Sequence, residues 1–200
     1  MTTALSLTAD SYERLVADLR GRKVVAVEYY VLLTGDEGAI PDQWDYVTWH
    51  EPTMGIELTT DDGSRYSAVW GHTFDYYGLE LYPAPMREFL TNIDQPGGST
   101  RVSATDHPLW AEIISAPIES CRILWCGEDR GAATRMPEAI WLQTATGQAW
   151  IAAGRSAAYE PDGSFHLCTD DVLVIFDTNT ATRAGMGTIN GSGTRPKRGW

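Results

Sequence analysis

The sequence predicts a mainly β (α+β) fold: two pseudo-repeated antiparallel β units, each preceded by a short amphipathic helix. Three observations carry that reading. Short alternating runs rich in Val, Ile, Tyr and Trp recur between turns that contain Gly and Asp. The helical periodicities are two brief stripes, each just ahead of a set of strands. The order of helix, strand and hairpin then recurs in the second half of the chain.

The first stripe covers residues 10–20, where Tyr12, Leu15, Val16 and Leu19 share a helical face. An Asp10/Glu13 capping box opens it and Gly21 stops it. Residues 23–33 alternate through Val25, Val27, Tyr29 and Val31 and end at the Gly35-Asp36-Glu37-Gly38 cluster, which predicts a strand and a loop. Residues 55–60 and 65–71 flank Asp61-Asp62-Gly63-Ser64, a hairpin turn in which glycine supplies positive φ. A further strand is expected at 78–82.

In the second half, Asp106-His107-Pro108 opens a short stripe of Trp110, Ile113 and Ile114. A strand at 118–126 follows, then strands at 139–144 and 148–153 around Ala145-Thr146-Gly147, and a buried strand at 172–176. A shift of 84 places Ile56 on Ile140, Leu58 on Leu142, Gly63 on Gly147, Tyr66 on Trp150 and Ala68 on Ala152, and a shift of 94 places Val27 on Cys121 and Tyr29 on Ile123. The units are therefore expected at 8–94 and 103–180, as two lobes or one domain overall, with a flexible tail at 185–200.

These strand patterns carry a resemblance. Asp106-His107-Pro108-Leu109-Trp110 through Ile118 to Leu124-Trp125, with Ala139-Ile140-Trp141-Leu142 and Asp170 to Phe176, resembles a group of uncharacterised bacterial β-rich proteins. Gly55-Ile56-Glu57-Leu58 to Trp70, and Tyr77 to Leu81, fit the same group. The shared motifs are structural, so the resemblance implies a fold and no catalytic residue. In size and acidity the chain is similar to toxin-immunity proteins, which implies the role of an inhibitor.

Charge narrows the partners. Fifteen Lys and Arg against 27 Asp and Glu give a net charge of −12, which repels phosphate backbones and anionic lipid. Nucleic acid and membrane are not expected as ligands. No apolar run approaches the ~18 residues of a membrane-spanning helix and the start lacks a basic leader region, so a cytoplasmic protein is expected. Cys121, Cys126 and Cys168 fit no C-x-x-C spacing, so reduced structural thiols are expected.

Catalytic patterns are weak. His50-Glu51 and His72 with Asp75 pair an imidazole with a carboxylate, the material of general acid–base work, and His72/Asp75 defines an enzyme alternative. The four histidines, His50, His72, His107 and His166, show no ligand spacing. His166, Cys168 and Asp170 could meet a soft metal only if strand alternation kept them on one face. No nucleophile elbow or phosphate loop is present, and no cofactor or metal is expected.

Eight Trp and nine Tyr against four Phe are the unusual feature, because Trp and Tyr suit exposed anchors. If 44–50 is extended, Trp44, Tyr46 and Thr48 share one face and Val47 and Trp49 the other. Trp44, Tyr46 and Trp49, with Asp75, Tyr76 and Tyr77, are the expected binding residues. Together with the acidic loops they suit a basic protein partner, which makes a non-enzymatic binding module the leading expectation. The alternative is a small-molecule or carbohydrate site on the Trp/Tyr platform. Trp125, Trp141 and Trp150 are expected to pack.

Overall fold

A computed structural model describes residues 8–35, 37, 39–74, 76–126, 135–157 and 164–186. The protein is mainly β, with two antiparallel sheets and few helices. The first sheet runs β2 (Ile40–Pro41), β1 (Val24–Thr34), β4 (Gly55–Thr60), β5 (Arg65–Gly71) and β6 (Gly78–Tyr82), with β7 (Ser99–Ser103) also paired to β1. The second runs β3 (Trp49–His50), β11 (Phe165–Ile175), β10 (Gln148–Ser156), β9 (Met136–Gln143) and β8 (Ser120–Cys126). One apolar core, from Tyr29, Ile56, Leu58 and Leu81 to Ile140, Ile151 and Leu173, joins the two sheets. Trp141 and Trp150 are buried in it, while Trp125 is half-buried against Tyr12 and Phe74.

Helix α1 (Ala9–Ala17) differs from expectation in its cap. Thr8 accepts from the Ser11 backbone N–H, and the Ser11 side chain returns to Thr8. The expected Asp10 instead sits in the first turn, where a carboxylate favours the helix dipole. Gly21, at φ 83°, ends the following turn and donates to Ile118 O. The helix lies against β6 and β8, and the Tyr12 hydroxyl donates to Leu79 O at 2.6 Å. The second helix, α2 (Pro108–Ala111), is shorter than its stripe, and the capping side chain ahead of its proline is His107. A third, α3 (Thr178–Arg183), capped by Asp177, was not expected.

Both halves contain a meander, β1-β4-β5-β6 and β8-β9-β10-β11. Tyr29 faces Ile56 as Ile123 faces Ile140, in keeping with the shifts of 94 and 84. The next pair departs by one residue: Ile56 faces Ala68 but Ile140 faces Ile151, because 60–64 connect the first hairpin and 144–147 the second. Shared connectivity alone does not establish duplication, and β3, from the first half of the chain, pairs with β11.

The three cysteines are buried and free of disulfides. Cys168 has φ 61° and lies where the β10–β11 register breaks between Gly154↔Leu167 and Ala153↔Val172. That bulge cancels the alternation needed to align His166, Cys168 and Asp170: His166 is exposed, whereas Cys168 is buried. Cys168 instead lies with Cys126 and Glu138, their ligand atoms within 4.8 Å of one another. Among the described residues no helix is long and apolar enough to cross a membrane. Residues 187–200 of the expected tail lie outside the described residues.

Candidate functional site

Residues 44–51 are not an extended strand but a tight hairpin. Glu51 N donates to Trp44 O at 2.7 Å and Tyr46 N to Trp49 O at 3.0 Å, which leaves Val47 and Thr48 as the two-residue tip. The Asp45 side chain accepts the Val47 N–H at 2.8 Å and fixes the turn from outside. Val47 has φ 71° and is 80% exposed. Hairpin tips of this length favour Gly or Asn at positive φ, so a β-branched residue there is strained.

The tip redistributes the expected platform. Tyr46 and Trp49, which alternation puts on opposite faces, stack on each other at 5.4 Å with planes 5° apart. Trp44 turns inward and meets Tyr29, His50 and His107 edge-on, at 5.4, 5.1 and 5.9 Å. Tyr76 and Tyr77 belong to a separate group with Trp70 and His72 at the β5–β6 end, and Asp75 lies outside the described residues. The five of these residues that are described therefore fall into separate aromatic groups rather than one stack.

A cluster that sequence reasoning missed lies beneath the hairpin. His50 is brought in by the pairing of β3 with β11, where it faces Val174. His107 arrives as the cap of α2, its Nδ1 accepting the Leu109 N–H at 3.3 Å. The rings cross at 89° with centroids 4.3 Å apart. Asp45 Oδ2 is 3.4 Å from His107 Nε2, and Asp45 Oδ1 is 3.9 Å from His50 Nε2. Below them the Trp110 indole N–H donates to the Tyr29 oxygen at 2.6 Å, and that hydroxyl lies 2.6 Å from His50 Nδ1. Phe176 closes one side, 5.0 Å from the His50 ring. The Asp106-His107-Pro108 cap signal was legible, but its meeting with Asp45 and His50 was not.

Electrostatics follow burial. His50 is fully buried, and its pKa falls to about 4, first through desolvation and then through neighbouring His107, with Asp45 opposing. It is therefore neutral at pH 7. Asp45 is held below its ordinary value, chiefly by the Val47 N–H and also by the His107 contact. Burial holds the Tyr29 proton on well beyond the usual phenol range. A cleft of about 310 Å³ borders the cluster, lined in part by Thr48, Pro108, Leu109 and Phe176.

An acidic cluster lies at the β11 bulge, by the base of the hairpin. The Asp171 pKa rises to about 6, first through burial and then through Asp170, with Glu51 and Asp42 adding and Arg155 opposing. Because this folded pKa exceeds the ordinary 3.8, the ionised carboxylate disfavours folding. The penalty is absent below about pH 4 and complete above about pH 6. Asp171→Asn should therefore raise stability at pH 7 by about 1 kcal/mol, after discounting for solvent screening, and leave it unchanged at pH 3.5. Urea unfolding at both pH values checks this, and an equal gain at both would reject the electrostatic cause.

The chain matches no protein family, no curated protein and no solved structure, so the geometry of the site carries the functional reading.

Proposed function

We propose that the protein is a non-enzymatic binding module for a basic protein, of the immunity or inhibitor kind, which the hairpin tip contacts and the acidic cluster at the base of the hairpin steers. The observation that supports it most is Val47, an apolar residue held at φ 71° and 80% exposed. Such strain costs about 1–3 kcal/mol and persists where the surroundings enforce it, commonly at binding sites. Ile40, 64% exposed at the entry to the same loop, adds a second apolar contact. At the base of the hairpin, on the Thr53 side, Asp170 and Asp42 both raise the Asp171 pKa, and a cationic surface relieves that repulsion while steering encounter.

Val47→Gly separates the strain from the contact. It should stabilise the free protein by about 1 kcal/mol in urea unfolding, because glycine adopts positive φ freely. It should also weaken the partner by about tenfold through the lost apolar contact. A photo-crosslinking amino acid at position 47, used in the source cells, should give a discrete product that high salt and Asp42→Asn/Asp170→Asn suppress. The same substitution at Val25, 39% exposed on β1, should not. Equal products from both positions would count against a specific face. If a glycan instead quenches tryptophan fluorescence and protects Trp49, the sugar-platform reading replaces this one.

A further inference from the structure

We infer that Asp45, His50 and His107 form a three-ligand site for a divalent transition ion of the zinc class. Their ligand atoms lie within 4.8 Å of one another. Ligands around tetrahedral zinc, each about 2.1 Å from the ion, stand about 3.4 Å apart. Asp45 Oδ2 stands 3.4 Å from His107 Nε2 and Asp45 Oδ1 3.9 Å from His50 Nε2, so a small turn of the carboxylate brings one oxygen near that spacing from both rings.

A second observation is independent of the spacing. His50 is fully buried, yet among the described residues its Nε2 has no hydrogen-bond partner, and it faces the carboxylate. An unpaired buried polar nitrogen is costly, and an ion at Nε2 removes that cost. The surroundings suit such an ion. With Nε2 ligated, the ring carries its proton on Nδ1, 2.6 Å from the Tyr29 oxygen, which accepts it together with the Trp110 N–H, so the Tyr29 hydroxyl proton must turn away from His50. Two imidazoles and one carboxylate favour zinc, cobalt or nickel over calcium and magnesium, which prefer all-oxygen shells. Three protein ligands leave one position for water, and Asp45, whose side chain is 43% exposed, lies on the approach.

A second contact besides that of Tyr29 opposes the ion. His107 Nδ1 now accepts the Leu109 N–H at 3.3 Å, and ligation through Nε2 places a proton on that nitrogen. Binding therefore releases the α2 cap and couples the ion to the start of that helix. The inference does not rest on the binding-module reading, and its test uses the chain alone.

Calorimetric titration of the full chain with Zn²⁺ should show one site, and Co²⁺ should give the visible spectrum of tetrahedral nitrogen and oxygen ligation. Asp45→Asn and His107→Gln, both at partly exposed positions, should keep the far-UV spectrum and weaken Zn²⁺ by at least about tenfold. Zn²⁺ at a hundredfold excess over the parent Kd should raise Tm by about 5 °C in the parent chain and by no more than about half of that in either variant. A sulfur-to-cobalt charge-transfer band would move the ion to Cys126, Glu138 and Cys168 and overturn the assignment. Absence of saturable binding, or binding equal in both variants and the parent, would overturn it as well. The position 47 crosslink with and without chelator is a separate readout, so either reading can fail alone.

Discussion

Tyr29→Phe is expected to destabilise the protein by about 3 kcal/mol, although it removes one oxygen and leaves the ring in place. The hydroxyl lies between the Trp110 indole N–H and His50 Nδ1, each at 2.6 Å, and all three residues are fully buried. Its loss leaves two polar nitrogens without a partner where solvent does not reach, and each costs about 1–3 kcal/mol. Urea unfolding should show a lower midpoint with an unchanged slope. A loss under about 1 kcal/mol would mean that the oxygen does not connect the two nitrogens. Tyr12→Phe is the comparison: its hydroxyl donates to the backbone carbonyl of Leu79, and its loss orphans no side-chain nitrogen, so a smaller loss of about 1–2 kcal/mol is expected.

Gly55→Ala is expected to cost about 3 kcal/mol or more for a different reason. Gly55 begins β4 at φ 150°, a conformation that disfavours any side chain. A Cβ there would lie 2.8 Å from the Ala68 carbonyl oxygen on the neighbouring strand and 2.6 Å from the Met86 methyl. Methionine can move aside, but a carbonyl within the β4–β5 pairing cannot do so cheaply. Gly63→Ala is the control, since Gly63 has φ 81° with open space around it and should lose only about 1 kcal/mol. Equal midpoints for the two variants would show that backbone conformation, not the close approach, makes glycine necessary at position 55. Because Gly55 follows the segment that carries Trp49 and His50, its displacement should also disturb the His50–Tyr29 contact, which tryptophan emission can follow.

Elements with strong local signals were legible. Alternation between turn glycines located β4, β5, β9 and β10, and the residue pairs Tyr29–Ile56 and Ile123–Ile140 follow the proposed shifts. Elements set by long-range pairing were not. Strand β3 is two residues long and exists because β11 supplies its partner, and β7 joins β1 from beyond the expected first unit. The 44–50 segment misled the periodicity argument because an alternating composition does not show that Asp45 caps a turn at Val47.

Composition, charge and period-two patterning were sufficient for a mainly β chain with two hairpin-based sheets, buried thiols and an acidic, aromatic character, because each depends on residues that are neighbours or near-neighbours along the chain. The convergence of Asp45, His50 and His107, the separation of Tyr46 and Trp49 from Tyr76 and Tyr77, and the exclusion of His166 from Cys168 were decided by the tertiary structure. They depend on which edges pair and where the ladder bulges. Residues 168–171 are extra on β11 between Gly154↔Leu167 and Ala153↔Val172, and no local pattern records where a ladder accommodates such residues.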